Sequence, residues 1–592
     1  MIETVSQIPS NFLRSYVKPD LMLYKEGGRY VPLSTQGVYD RIKRISLGLR
    51  GLGCRPGDKL VILSENRPEW VWTDLANLAL GGVTVPVYPT LVPEQIRYII
   101  DDSDAKVVVC STPELWAKVA AVRKDLPKVS HYVLMSSAAP EGVLSLESLQ
   151  EQGRRLDSEN SRLFEEGAGA VKPGDLASII YTSGTTGIPK GVMLTHDNFL
   201  SNVKALDAVV DFNVKDTILS FLPLSHVLER MTTFAFLYKG CSIAYAESIE
   251  TVAQNLLEVK PTIMISVPRL FEKMYAKVMD AVRSGSALKK KIFFWGLRVG
   301  TEASRRTLRH EPFRGGLRFK HGLARRLVFS KILAKTGGRI KFFVSGGAPL
   351  SKDIAEFFHA VGLVVLEGYG LTETAPVVAC NTFERLKFGT VGPAVPGVEV
   401  KIAEDGEILT RGPNVMKGYY KKDAETADAL ARGWFHTGDI GFLDAEGFLT
   451  ITDRKKDLIV TSGGKNVAPQ PIENMIKRSP YIATAVVVGA RRKFVSAIVV
   501  PDFEKLAEYA REKNIAFERP FDLANRPDIR EFLLNEVDRF TPNLAPYEKV
   551  KKIAVLDRDF DLEREELTPT LKVKRAKVEE KFQNLIDGLY RE

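Results

Sequence analysis

Cysteine is scarce in this 592-residue chain, and the four present, Cys54, Cys110, Cys241 and Cys380, are scattered without a Cys-x-x-Cys pair. That argues against a disulfide framework and against a cysteine zinc site, and it fits a reducing compartment. Long apolar runs are missing too. No stretch approaches the roughly 18 uninterrupted apolar residues of a membrane span. The opening Met1 to Gln7 has neither a basic head nor an apolar run, so no secretion signal is expected. Internal repeats and low-complexity tracts are absent as well. What is present is 45% hydrophobic content in a chain longer than one core can organise, so at least two globular domains are expected.

The net charge of +10 is concentrated rather than spread. Residues 281–341 hold 17 Lys/Arg against Glu302 and Glu311, a local balance of +15, which leaves the remainder at about −5. A nucleic-acid enzyme more often carries its basic groups beside its active-site motifs, so no nucleic acid is expected as partner.

Short β-branched runs, Lys59 to Ser64, Val83 to Tyr88, Lys106 to Cys110 and Tyr132 to Met135, alternate with helical patterns through the first 280 residues. That alternation predicts parallel α/β layers. From Val398 to Val460 the texture changes to strands broken by turns such as Glu404-Asp405-Gly406 and Asp444 to Gly447, the spacing of hairpins. After Asp453 a smaller α/β unit is predicted, with strands at Ala483 to Val488 and Ser496 to Val500.

The densest chemical signal is the string Thr182, Ser183, Gly184, Thr185, Thr186, Gly187, Ile188, Pro189, Lys190, Gly191, between the apolar runs Leu176 to Tyr181 and Val192 to Leu194. Small hydroxyls and glycines let backbone N–H groups wrap phosphate oxygens, and Lys190 adds a cation. A Walker A loop needs Gly-Lys-Ser/Thr opening a helix. Here Pro189 precedes the lysine and a strand-like run follows.

This string resembles the phosphate-binding loop of the adenylate-forming superfamily, which includes acyl-CoA synthetases, firefly luciferase and nonribosomal peptide adenylation domains. Further motifs of that family follow in order. Ser345-Gly346-Gly347-Ala348-Pro349 and Glu367-Gly368-Tyr369-Gly370-Leu371-Thr372-Glu373 resemble its adenine-binding segments. Trp434 to Asp439 and Asp453-Arg454-Lys455-Lys456-Asp457 resemble its ribose and hinge segments, and Leu567 to Lys572 its C-terminal lysine motif. The resemblance spans about residues 20–580. It implies an α/β fold: a large N-terminal adenylation domain of layered sheets and helices with a β subdomain, 1–453, and a small mobile α+β C-terminal domain, 454–592.

The activity implied is ATP-dependent joining of a carboxylic acid to coenzyme A through an acyl-adenylate. A carboxylate resists thiol attack because it is anionic and would have to expel oxide, so it is first made a mixed anhydride with AMP. Carboxylate and ATP are both negative, and cations are needed where they meet. The resemblance implies Lys572 as that mobile cation, magnesium held by Glu373 and Thr186, and Thr372 bonding a phosphate oxygen. It further implies that Gly346, Gly347, Ala348, Gly368, Tyr369 and Gly370 enclose adenine, that Asp439 holds the ribose, and that Arg454 reaches the same sugar or the α-phosphate. His226, in Leu222 to His226, matches the motif lining the acyl entrance. Lys456 matches the hinge, and Gly463, Gly464 and Lys465 match the loop that admits the thiol.

The basic stretch 281–341 resembles the insertion of long-chain acyl-CoA synthetases. Ile292 to Trp295 and Leu327 to Phe329 lie there among Lys289, Lys290, Lys291, Arg325 and Arg326, a composition suited to anionic lipid headgroups. Neither run resolves into one clean apolar stripe, so a helical subdomain packed on the body is the competing reading. The expected substrates are a long-chain fatty acid, ATP and CoA, with a homodimer left open. The expected location is the cytoplasm, with peripheral attachment to the inner face of the membrane as an extension. Two other readings stay open: adenylation of another acid or transfer to a carrier protein, and a noncatalytic lipid-binding relative.

Overall fold

The computed structural model describes residues 2–182, 189–312, 314–561, 564–568 and 573–591. Among these, two sheets of eight strands dominate. One runs in the order Gly418–Tyr419, Lys190–Thr195, Leu176–Thr182, Val83–Val87, Lys59–Leu63, Ala105–Cys110, His131–Leu134, Leu144–Ser145. From Leu176–Thr182 to the Leu144–Ser145 edge its pairings are parallel. Both faces are covered: Leu60, Ile62, Val107 and Val109 enter one core, and Val61, Leu63, Val108 and Cys110 enter another. Burial on both sides is why these strands read as unbroken apolar runs.

The second sheet runs Val377–Cys380, Val364–Gly370, Phe342–Ser345, Ile263–Ser266, Thr217–Ser220, Ser242–Tyr245, Met22–Glu26, Arg29–Leu33. It is parallel in its middle and closed by an antiparallel pair at each edge. A four-stranded sheet follows, of Glu399–Ile402, Glu407–Arg411, Phe435–Leu443 and Leu449–Arg454.

The chain divides into two compact units, one of residues 1–401, 409–437 and 443–450, the other of 402–408, 438–442 and 451–592. Both eight-stranded sheets belong to the first. The second holds a three-stranded sheet, Ile482–Val488, Ser496–Pro501 and Ile553–Val555. Its alternate side chains fill two cores, Val487 and Val499 against Leu533 on one face, Val486 and Ile498 against Val578 on the other.

One buried ion pair bolts the first unit together. Arg230, 1% exposed, donates to the two oxygens of Asp74 at 2.8 and 2.6 Å and to Ser178 Oγ at 2.5 Å. The rings of Trp70, Phe199 and Phe234 surround its guanidinium at 5.2–5.8 Å. Helix Pro68–Ala79, strand Leu176–Thr182 and helix Val227–Tyr238 are thereby joined at one point.

The basic stretch folds as helices packed on this unit. Helix Ala287–Leu308 buries Phe293, Gly296, Val299, Gly300 and Ala303. Gly300 is required there, since a Cβ would lie 2.2 Å from the Ala360 carbonyl oxygen. Ser304 Oγ and His359 Nδ1, 2.7 Å apart, add a polar tie to helix Lys352–Val361.

Candidate functional site

Strands Leu176–Thr182 and Lys190–Thr195 pair antiparallel with Thr182 opposite Lys190, so the glycine- and threonine-rich string joins the two arms of a hairpin. Ser183, Gly184, Thr185, Thr186 and Gly187 lie outside the described residues. Their frame is tightly held: the Tyr98 hydroxyl donates to the Pro189 carbonyl at 3.2 Å, and the Tyr181 hydroxyl donates to Asp102 at 2.5 Å. Burial, then the Asp102 carboxylate, pushes the Tyr181 phenol far above its ordinary range and keeps it a donor.

The second arm ends at Thr195, which caps helix His196–Val209 by accepting from Asn198 N at 3.1 Å while Asn198 Oδ1 accepts from Thr195 N at 2.8 Å. Asn198 Nδ2 also donates to the carbonyls of Pro413 and Val415 at 2.7 and 2.9 Å. One turn on, Asn202 donates to the Val377 carbonyl at 3.1 Å and accepts from Val377 N at 2.6 Å. These two buried amides, on one helix face, hold the backbone just after Glu373 and the backbone just before Tyr419.

Tyr419 sits in a two-residue strand opposite Val192. Its hydroxyl donates to Glu373 Oε1 at 2.9 Å, and Lys190 Nζ lies 5.2 Å from the centre of its ring. Met416 N donates to the Glu373 carbonyl at 2.8 Å. Lys190, Tyr419 and Glu373 thus form one polar group at the start of the hairpin's second arm. Thr372 lies in the same short 3-10 turn as Glu373.

Gly346, Gly347 and Ala348 leave the end of strand Phe342–Ser345, whose Ser345 pairs with Glu367. Gly346 N donates to the Ser266 carbonyl at 3.1 Å. Glu367 accepts from the backbones of Leu350 and Gly389, and burial outweighs those bonds and pushes its carboxyl up to about 8. Gly368, Tyr369 and Gly370 continue the strand, with Tyr369 opposite Ala379 and 9% exposed. A Cβ on Gly370 would lie 1.7 Å from the Pro376 carbonyl oxygen, so only glycine lets the chain fold back there before Thr372 and Glu373.

His226 caps helix Val227–Tyr238, its Nδ1 accepting from Leu228 N at 3.2 Å. The loop before it is clipped by Asn66, which donates to the Leu222 carbonyl at 2.6 Å and accepts from Leu224 N at 2.9 Å. Leu228 Cδ2 would lie 3.1 Å from a Cβ on Gly346, so this helix start adjoins the 346–348 loop.

In the second unit, Asp439 is 4% exposed and pairs with Arg454 at 2.7 Å. Gly438 N is fixed by Glu407, which also holds Lys455 at 2.9 Å. Lys456 is exposed in the short turn that follows. Gly463, Gly464 and Lys465 form the exposed tip between strands Ile459–Val460 and Asn466–Val467, where Gly464 adopts φ +71° and donates to the Thr461 carbonyl at 3.0 Å. Lys572 lies outside the described residues. Its flanks Leu567 and Val573 pair antiparallel, and Lys574 N donates to the Glu566 carbonyl at 2.8 Å. Glu566 is fully buried against Arg558 at 2.7 Å.

Tyr419, Asn198 and Asn202 have no place in the motif reading. For the asparagines a trace is there in the sequence: two of them stand four apart in a helix that otherwise buries Phe199, Leu200 and Val203.

Two parallel-cored sheets, a glycine- and threonine-rich hairpin near the edge of one of them and a smaller α+β unit make the fold of adenylate-forming enzymes. An anthranilate CoA ligase in complex with anthranoyl-AMP superposes with TM-score 0.71 at 18% identity, covering 98% of this chain and 97% of that one. A carboxylate reductase adenylation domain from Mycobacterium chelonae superposes with TM-score 0.75 at 23% identity, covering 99% and 91%. The chain belongs to the AMP-binding enzyme family, whose model matches residues 15–420, with the AMP-binding enzyme C-terminal domain at 456–592. A long-chain-fatty-acid–CoA ligase of Mycobacterium bovis, FadD15, is 38% identical over 97% of this chain and 95% of its own. The human long-chain-fatty-acid–CoA ligase 1 is 34% identical over 91% and 79%.

Proposed function

We propose that this chain joins a long-chain fatty acid to coenzyme A through an acyl-adenylate, consuming ATP and releasing AMP and pyrophosphate. The observation that carries the reading is the Lys190, Tyr419 and Glu373 group on the phosphate hairpin, in a chain so similar along its length to a ligase named for that reaction. Lys190 and Lys572 offset the repulsion between carboxylate and triphosphate, and Tyr419 orients Glu373. The loop 346–348 and the stretch 368–370 receive adenine, Thr372 bonds a phosphate oxygen, and Asp439 with Arg454 receives the ribose. His226 lines the acyl entrance as a polar group fixed by its own helix; it need not be a base, because the acid is already ionised at pH 7.

Among the described residues no group of three or more His, Cys, Asp or Glu could hold a metal. Glu373, with Thr186, would hold a magnesium ion brought in with the nucleotide, the usual way this ion is bound. It supplies charge neutralisation at the transferring phosphoryl group.

The division of labour falls at 453/454. Residues 454–592 act as a mobile domain pivoting at Lys456, exchanging Lys572 for the Gly463, Gly464, Lys465 tip when the thiol enters. The basic stretch 281–341 faces an anionic membrane surface, which places the enzyme peripherally on the inner leaflet. Sedimentation at assay concentration reads whether a second copy is a partner as well.

Purified protein given oleate, ATP and magnesium with CoA is expected to yield oleoyl-CoA, AMP and pyrophosphate. ADP with orthophosphate as products would overturn the mechanism. Equal turnover of acetate and oleate would overturn the substrate class. Acyl transfer to a carrier protein in place of CoA would overturn the acceptor.

A further inference from the structure

Large apolar side chains normally lie singly on a protein surface. Here five of them, Leu288, Phe294, Phe319, Leu323 and Leu327, are 40–76% exposed within the basic stretch. Three belong to one helical run, Gly315–Ala324 continuing through a π-turn at Arg325–Phe329 into Ser330–Ala334. The run has two apolar faces. Ala324, Val328, Phe329 and Ile332 are buried in the core, with Leu317 packed against them. Phe319, Leu323 and Leu327, at spacings of four, point the other way and are 76%, 40% and 41% exposed.

The apolar residues of this stretch therefore divide between two jobs that sequence runs do not separate. Phe293, Val328 and Phe329 are core, whereas Phe294 is outside on the same solvent stripe as Lys291, Arg298 and Arg305. The outward stripe of the second run is flanked by Arg318, Lys320, Arg325, Arg326 and Lys331, and no acidic residue occurs anywhere in 312–352. An apolar stripe bordered only by positive charge is complementary to the interface of an anionic bilayer, where headgroups meet the cations and the acyl boundary takes the apolar tips.

We infer that Phe319, Leu323 and Leu327 are the inserting edge by which this chain docks on an anionic lipid surface. The inference rests on the membrane reading of the basic stretch and narrows it to one helix face. That face belongs to a helix already fixed by its buried side, so docking orders nothing new and costs little conformational entropy. No helix among the described residues is long and apolar enough to cross a bilayer, so attachment is by this face and not by a span.

The test is partition of the whole protein onto vesicles of mixed phosphatidylglycerol and phosphatidylcholine, against vesicles of phosphatidylcholine alone. The triple variant Phe319→Ser, Leu323→Ser, Leu327→Ser should lose about a hundredfold in binding to the mixed vesicles, from three half-exposed apolar tips returned to water. It should keep its turnover of soluble substrate and most of its melting temperature, because none of the three belongs to the buried cluster that fixes the helix. Changing Arg318, Lys320, Arg325, Arg326 and Lys331 to Gln should cost about fivefold per charge at low salt, and less as salt rises. In Phe319→Trp the indole emission should shift to the blue on mixed vesicles. If the parent binds mixed vesicles and the triple serine variant binds equally well, the stripe is refuted while the charge reading stands. A parent that binds neither vesicle, or binds both alike, overturns both.

Discussion

Replacing Tyr419 with Phe isolates one hydrogen bond at the proposed site. The ring stays beneath Lys190, and only the hydroxyl that donates to Glu373 at 2.9 Å is removed. A hydrogen bond to an ionised carboxylate is worth about 1.5–3 kcal/mol, which corresponds to roughly 10- to 150-fold. Freed of that donor, Glu373 is still tethered through its carbonyl to Met416 N, so the backbone keeps its course and only the carboxylate swings. If the carboxylate has to meet a magnesium on the nucleotide, kcat/KM for ATP should fall by about that factor, and rising magnesium should restore part of it. The assay is acid-dependent pyrophosphate release, titrated with magnesium at fixed ATP. Tyr419 is half-buried in a strand of two residues, so the melting temperature should hardly move. Tyr419→Leu removes the ring as well and should lose a further factor of about 2–5 from the Lys190 contact. A Tyr419→Phe enzyme with the parent's magnesium dependence would refute the assignment of Glu373 to the metal.

Asp439→Ala should weaken AMP and ATP binding about 10- to 100-fold by calorimetry, since a buried charged acceptor is lost, while the half-exposed Arg454 returns to water; unchanged affinity removes Asp439 from the site. Lys572→Ala should lower adenylate formation by about 10²–10³, yet supplied acyl-adenylate should react with CoA near the parent rate; equal damage to both steps, or a larger adenylation loss in Lys574→Ala, refutes the role. Burial pushes Glu229 up to about 8, against a hydrogen bond from Ser220 that lowers it. Its folded value lies above its unfolded one, so the stability it contributes is complete in acid and is lost as pH rises through about 8. Glu229→Gln should therefore gain about 2 kcal/mol or more relative to the parent between about pH 6 and about pH 9 in urea unfolding; a constant difference across that range would refute a neutral buried Glu229.

The strands were legible where both sheet faces are buried. The run Lys59 to Ser64 appears as Lys59–Leu63, Val83 to Tyr88 as Val83–Val87, and Ser496 to Val500 as Ser496–Pro501, because a strand covered on both sides is apolar along most of its length instead of alternating. The hairpin turns at Glu404 to Gly406 and Asp444 to Gly447 were equally plain, since Gly406 and Gly447 take φ +85° and +80°. The link from Tyr419 to Glu373 was not legible. It spans 46 residues and depends on a two-residue strand finding its register on Lys190–Thr195. No local pattern encodes that pairing; it follows from the Asn198 and Asn202 amides, whose partners are backbone atoms anonymous in sequence. In the basic stretch the difficulty is different. Phe293 and Phe294 are adjacent and chemically identical, and only the phase of the helix decides which is core.

The Arg230, Asp74 and Ser178 knot carries a consequence for how this lineage can change. Losing either charge alone strands the other in a place with almost no water, at a cost of about 3–5 kcal/mol, a large part of a domain's whole stability. Replacing the pair with apolar side chains of matching volume could leave the protein as stable as before, or more so. Yet every route to that state by single substitutions passes through an intermediate that folds poorly. The three positions are therefore expected to be inherited as a block, drifting together or not at all. Because the knot joins the strand that leads into the glycine- and threonine-rich hairpin to the helix that His226 begins, that inheritance also freezes the relative placement of two parts of the proposed site that never touch Asp74.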